Sequence, residues 1–231
     1  MAAADHSGHR ERLKNRFLRQ MSFEDFEDHN ILEFLLFFTI PRKDTNELAH
    51  ALIDRFGSLS AVFDASVEDI CTVPGISKNS ATLIKAILPI ARVYNRDKYD
   101  KTHIIDSTEK AVEFLLEQYL GYEEEVFSLV GLDNCSRLVC FEIISKGGVE
   151  SVLIDNRNFS KILTSTGATQ AIICHNHPSG VALPSGADAM VTRRLRRFCE
   201  VVGVRLIDHI IIAGNDGISM RESKEYKQLF E

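Results

Sequence analysis

The stretch Ala171-Ile172-Ile173-Cys174-His175-Asn176-His177-Pro178, followed by Ser185 and Asp188, decides how this chain reads. Its apolar half predicts a short strand that delivers His175 to a carboxyl end, where α/β sheets place their ligands. Side chains alternate along a strand, so His175 and His177 face one way and Asn176 the other. Pro178 has no amide hydrogen to give a ladder and stops the strand. The chain turns through Ser179-Gly180 and re-enters a helix near Ser185, with Asp188 in the first turn and within reach of the imidazoles. Two nitrogens and one carboxylate oxygen leave a tetrahedral zinc one position for water, the composition of a catalytic rather than a sealed site. A purely structural reading stands beside this one. Paired histidines recur at strand edges, and Ser185-Gly186-Ala187-Asp188 is an N-cap with an acid three residues on, a variant of the capping box.

The spacing His-x-His-Pro, six residues, Ser, two residues, Asp resembles the JAB/MPN, or JAMM, metalloprotease motif. Thr192-Arg193-Arg194-Leu195 and Asp208-His209-Ile210-Ile211-Ile212 are similar to its RadC branch, and the resemblance covers nearly the whole chain. It implies an α+β fold: a mixed sheet flanked by helices, with a JAB/MPN, deaminase-like layout, preceded by a small all-α helix-hairpin-helix-like domain. It implies a Zn2+ cofactor held by His175, His177 and Asp188, and Ser185 bonded to the water or the tetrahedral intermediate. An upstream glutamate is the implied general acid/base. Glu123-Glu124-Glu125 compete for that role ahead of the apolar strand from Val126; Glu125, which leads straight into it, is favoured. Glu142, inside the apolar run Leu138–Ile144, is a weaker rival, because a buried carboxylate needs a partner.

The implied chemistry is hydrolysis of peptide or isopeptide bonds in a protein or peptide substrate. Zinc lowers the pKa of water from ~15.7 toward ~7. Glu125 takes the proton and hands it to the leaving amine, and Ser185 shares the charge of the oxyanion. The chain departs from the family at Ile154-Asp155-Asn156-Arg157-Asn158-Phe159, where a Pro-Arg-Glu segment is usual. The resemblance then implies that the ligands are untouched and that the difference falls on substrate contacts or on the wall of the cleft.

Other catalytic readings fit less well. The letters His-Asn-His are not the spread triad of an HNH nuclease. A zinc deaminase needs His-x-Glu with Pro-Cys-x-x-Cys, and no Cys-x-x-Cys is present. There is no Walker loop and no Gly-x-Gly-x-x-Gly. With 231 residues, 45% hydrophobic and 26% charged, the composition is that of a soluble globule with one or two sizeable cores. No apolar run approaches the ~20 residues that span a bilayer, and the N-terminus lacks the apolar segment of a signal peptide. Cysteines 71, 135, 140, 174 and 199 are an odd, scattered set, read as reduced residues of a cytoplasmic protein.

The domains are expected at 1–95 and 104–231, with the polar run through 96–103 as linker. Periodicity predicts helices over 29–40, 45–56, 59–65 and 67–71, another ending near 94, and one over 107–120. Strands are expected at 126–132, 138–145, 149–154, 170–175 and 204–212, with helices near 157–165 and 186–202. Residues 67–94 resemble a helix-hairpin-helix, in which Gly75 of Val73-Pro74-Gly75-Ile76 exposes amides to a DNA phosphate and Lys78 assists. Ser77 replaces the second glycine of that turn.

Residues 1–95 hold 11 Lys/Arg and 13 Asp/Glu, a net charge of −2, so any basic face for DNA is local. One candidate is the arm Arg10, Arg12, Lys14, Arg16 and Arg19, which reads either as a phosphate contact or as a solvated helix face; the others are Lys78 and Lys85. Arg193, Arg194, Arg196 and Arg197 form a second basic run, either a solvated helix face or a contact for an acidic partner or nucleic acid. Asp208-His209 is either support for a ligand or a buried pair within the sheet. Beside the hydrolase stands a non-catalytic, DNA-associated reading, in keeping with the repair role that the RadC label implies.

Overall fold

Amphipathic periodicity becomes helix wherever an apolar stripe finds a partner. In the computed structural model, which describes residues 6–41, 44–99, 103–147 and 156–231, the N-terminal helices are α1 (His6–Gln20), α2 (Asp28–Leu36), α3 (Asn46–Phe56), α4 (Leu59–Asp64), α5 (Val67–Ile70) and α6 (Lys78–Lys98). Gly57 closes α3 in the left-handed region at φ 92°, and the hydroxyls of Ser58 and Ser66 cap α4 and α5. Leu32, Leu36, Leu52, Val62, Ile70, Ala81 and Ile84 form the core that these helices share. Each fully buried Leu or Ile contributes roughly 1.5–3 kcal/mol.

The basic arm is the outer side of α1. Leu13 is buried with Phe26 and Phe37, and Phe17, Phe23 and Phe34 pack against them. Arg10 donates to the Ile40 carbonyl at 2.6 Å and Arg16 to the Asp25 carbonyl at 2.5 Å, so both hold loops of their own domain.

The chain divides into two compact units, Met1–Ile90 and Ala91–Glu231. The expected boundary at 95 and the linker beyond it give way to helix: α6 continues through Lys98, because good helix formers outnumber breakers there. Residues 100–102 lie outside the described residues.

The second unit contains α7 (Thr108–Tyr119), β1 (Val126–Leu132), β2 (Leu138–Lys146), α8 (Asn156–Thr166), β3 (Gln170–Asn176), α9 (Gly186–Val201), β4 (Arg205–Ala213) and β5 (Asp216–Ser219). The sheet order is β2-β1-β3-β4-β5. Only β3 and β4 pair in parallel; the other neighbours are antiparallel. This is the expected mixed sheet flanked by helices. On one face, Phe114, Leu115 and Tyr119 of α7 pack on Val126, Val130, Ile172, Cys174, Ile210 and Ile212. On the other, Phe159 and Leu163 of α8 and Leu195 and Cys199 of α9 pack on Phe127, Leu129, Ala171 and Ile173.

The β3–β4 register shifts between Ala171 and Ile172, so that Ala171 pairs with Leu206 and Ile172 with Asp208. The extra residue, Ile207, resets the alternation. Leu206 and His209 thereby face the α9 side together, although strict alternation would separate them. The turn read at Gly214–Gly217 leads into β5, a strand that period-2 patterning does not announce in four residues. The strand expected at 149–154 lies outside the described residues.

Candidate metal centre

Three elements bring the predicted ligands together. His175 is the next-to-last residue of β3 with 0% of its surface exposed, half-buried His177 directly follows the strand, and Asp188 lies in the first turn of α9 at 3% exposed. His175 Nε2 is 2.9 Å from His177 Nε2 and 3.2 Å from Asp188 Oδ1. Among the described residues this is the one His/Cys/Asp/Glu group with metal-holding geometry, all its ligand atoms lying within 4.8 Å of one another.

Proton positions follow from the hydrogen bonds. The single hydroxyl hydrogen of Thr192 goes to the Asp188 carbonyl at 2.6 Å, so its Oγ1 accepts from His209 Nδ1 at 2.7 Å. His209 Nε2 is then a lone pair, and it accepts from His175 Nδ1 at 2.8 Å. His175 Nε2 is therefore unprotonated. His177 donates Nδ1–H to the Val181 carbonyl at 2.8 Å, which leaves its own Nε2 as a lone pair. Two lone pairs facing each other at 2.9 Å, with a carboxylate oxygen beside them, need a proton or a cation between them. Ligand atoms at zinc distances around a tetrahedral ion lie about 3.3 Å apart, and this donor set approaches that spacing. The residues fit the ion.

Electrostatics favours neutral imidazoles. Burial pushes the His175 pKa down to about 4; Asp188 opposes the shift and His177 adds to it. Burial, then His175 and His177, hold His209 well below the usual histidine range. Neutral imidazole is the ligating form.

Ser185 caps α9 and forms a reciprocal capping box with Asp188. Its backbone N–H and its hydroxyl donate to Asp188 Oδ2 at 2.7 and 2.6 Å, which leaves Oδ1 toward the imidazoles. The capping and ligating readings of Ser185-x-x-Asp188 are thus compatible: the cap orients the carboxylate. Asp208 and His209 part company across the sheet. Asp208 accepts from Ser219 Oγ at 2.6 Å and from the amides of His209 and Arg221, while burial raises its pKa. Of the two, only His209 bonds His175.

Glu125 is half-buried at the entry to β1, and Glu123 and Glu124 are exposed. The Asn176 side chain accepts from the Val126 amide at 2.7 Å and donates to the Glu124 carbonyl at 3.0 Å, clamping this entry to the end of β3. Lys146 pairs with the Glu124 carboxylate at 3.4 Å. Glu142 is exposed on edge strand β2 opposite Leu129. Cys174 packs into the α7 side, away from the ligands, and burial raises its pKa.

Sequence reasoning missed Thr192 and the clamping role of Asn176. The signal for Thr192 was its place one helical turn after Asp188, on the same face of α9. Strand alternation says of the central Asn of His-Asn-His only that it points away.

Gly75 and Lys78 belong to the other unit. Gly75 has φ 95° in the left-handed region, and a Cβ there would meet Leu48 Cδ2 at 2.9 Å. Lys78 is exposed at the start of α6. The Ser77 hydroxyl accepts from the Ser80 amide at 3.2 Å, and Lys85 donates to the Phe63 carbonyl at 2.6 Å. Arg193, Arg194 and Arg197 are exposed on α9, whereas Arg196 reaches Glu200 and the Leu229 carbonyl. No helix among the described residues is long and apolar enough to cross a membrane.

One buried and one half-buried imidazole with a capped carboxylate on a mixed sheet define a JAB-type domain. A family model described as the RadC-like JAB domain matches residues 105–226. A UPF0758 protein of Fusobacterium nucleatum is 33% identical, over 96% of this chain and 98% of its own length. UPF0758 proteins of Nitrosococcus oceani and Pseudomonas fluorescens are each 31% identical, over 94% and 92% of this chain and 95% and 94% of their own lengths. The chain belongs to the RadC family of JAB-domain proteins.

Proposed function

We propose that this protein is a zinc-dependent hydrolase of peptide or isopeptide bonds. The observation that carries this reading is the convergence of two Nε2 lone pairs and Asp188 Oδ1, with every other polar atom of the two imidazoles already bonded. His175, His177 and Asp188 would hold a zinc ion, which would supply Lewis acidity and bring the pKa of water from ~15.7 toward ~7. His209 and Thr192 keep His175 in the ligating tautomer, and the Val181 carbonyl does the same for His177.

Glu125 is the proposed general acid/base. Continuing the antiparallel register two residues past the Phe127–His175 pair sets position 125 opposite His177, on the His175 face. Glu124 falls on the other face and is held by Lys146. The Glu125 carboxylate takes a proton from water and returns it to the leaving amine nitrogen. Ser185 keeps Asp188 aimed, and its hydroxyl, turned from Oδ2, is the proposed donor to the oxyanion.

The test is elemental analysis with an isopeptide or peptide cleavage assay. About one zinc per chain and chelator-sensitive hydrolysis are expected; folded protein that takes up no zinc and cleaves nothing would overturn the reading.

A second reading, DNA association, draws on the left-handed turn at Gly75 and the exposed Lys78. It predicts salt-sensitive duplex binding, which Lys78→Glu weakens; no binding at low salt would end it.

A further inference from the structure

A polar cavity of about 230 Å³ opens at the other end of the sheet from the metal centre, where β3 and β4 begin and the chain enters α7. Gln170, on its wall, opens β3, and His175 follows five residues later. Roughly 17 Å of strand therefore separates the cavity from the imidazoles.

The lining is rich in donors and poor in free acceptors. Arg205 makes one long side-chain hydrogen bond, to Gln170 Oε1 at 3.4 Å, and no ion pair among the described residues. Gln170 is held in turn by its Nε2, which donates to the Asp133 carbonyl at 3.0 Å. Arg221 donates to Thr108 Oγ1 at 3.1 Å. The carboxylate oxygens of Asp208 and Glu222 stand 3.9 and 4.0 Å from its guanidinium, beyond hydrogen-bond length. The Ser136 hydroxyl, also on the wall, makes no hydrogen bond among the described residues. Both acids of the lining are occupied. Asp106 is held by Lys110 at 2.7 Å, and Asp208 accepts from Ser219 Oγ and from the amides of His209 and Arg221. A guanidinium carries five N–H donors and no acceptor, so the acceptors that complete this lining come from outside the chain. Water supplies them one at a time. An oxyanion supplies several at once, with the charge that a planar fork favours.

We propose that this cavity binds a small phosphorylated molecule. Its phosphate oxygens accept from Arg205, Arg221 and Ser136, and its body lies on the buried side chains of Ile105 and Ile172. A phosphate suits two forks and a hydroxyl better than a carboxylate does, because it offers a third oxygen. At roughly 30 Å³ of liquid per water the cavity holds the volume of about seven waters, which suits one phosphate with a compact body and not a polymer. No residue of the metal centre takes part, so the inference stands or falls independently of the hydrolase reading.

The test is calorimetric titration of the zinc-loaded full-length protein with phenyl phosphate, inorganic phosphate and benzoate. Phenyl phosphate should bind saturably, and more tightly than inorganic phosphate, which lacks the body, or benzoate, which lacks the third oxygen. Arg205→Ala, at an exposed position, should weaken it about tenfold, with zinc content and circular dichroism unchanged. Arg193→Ala, on the exposed face of α9, should leave the affinity as it is. Absence of phenyl phosphate binding overturns the inference. Equal weakening by Arg205→Ala and Arg193→Ala marks an adventitious ion only and overturns it as well. Binding that survives Arg205→Ala and is lost in His177→Ala belongs to the metal centre, and that result too overturns it.

Discussion

The cluster at His175 and the turn at Gly75 invite the same inference from sequence, a ligand site built on a short motif, and they differ in what the fold leaves unsatisfied. At His175, neighbours take every competing hydrogen: Thr192, His209 and the Val181 carbonyl fix two tautomers and leave two lone pairs facing one another. At Gly75 the left-handed turn is present, but the chain answers part of its own demand. Ser77 takes the Ser80 amide, and Lys85 is drawn to the Phe63 carbonyl. A motif becomes a site when surrounding bonds exclude every internal partner, and that condition holds around His175 far more fully than around Gly75.

The largest expected effect tests the His175 side directly. His177→Ala removes one of the three proposed ligands, and zinc content should fall from about one per chain toward zero while the fold, read by circular dichroism, persists. Retention of stoichiometric zinc would break the contrast. Glu125→Gln should next lower hydrolysis by about 10²–10⁴-fold with zinc retained, while Glu124→Gln changes it little. A larger loss at Glu124 would defeat the register argument. Thr192→Val deletes the hydroxyl that orders the relay. His209 is then free to move its proton to Nε2 and drive the His175 proton onto the ligating nitrogen. Zinc affinity should weaken about 10–100-fold in competition with a chelating dye.

The metal-free protein should also lose stability in acid. His175 stays neutral in the fold to about pH 4, whereas an unfolded histidine titrates near 6.5. Between those values the unfolded chain binds the extra proton. Stability is therefore intact above about pH 6.5 and falls by on the order of 3 kcal/mol as the pH drops toward 4. Denaturant midpoints across that range measure it; a flat profile would show that burial does not exclude the proton. The smallest effect belongs to the Gly75 side, where Lys78→Glu should change duplex affinity by a few-fold at low salt and leave zinc content alone.

Much of the architecture was legible because it rests on periodicity. The apolar run Ala171–Cys174 reads as a strand and is one, and α3, α4, α7 and β1 lie close to where patterning puts them. What failed did so for physical reasons. The polar stretch from Asn95 looks like linker by composition, yet helix propagates through Lys98 once started. β5 has too few residues to show a period and exists because β4 offers it an edge. Charge alone leaves the arm at Arg10–Arg19 open between a phosphate contact and a solvated helix face; Leu13 and Phe17 on its other side decide only its orientation.

The sequence alone determined the ligand types and their spacing: two imidazoles on one strand face and a carboxylate three residues into a capped helix follow from local geometry. Only the tertiary structure decided which atoms they present. The bulge at Ile207 turns His209 onto the His175 face, α9 carries Thr192 to His209, and Asn176 fixes the entry of Glu125. Those contacts join residues distant in sequence, and hydrogen-bond valence is settled only when the partners meet.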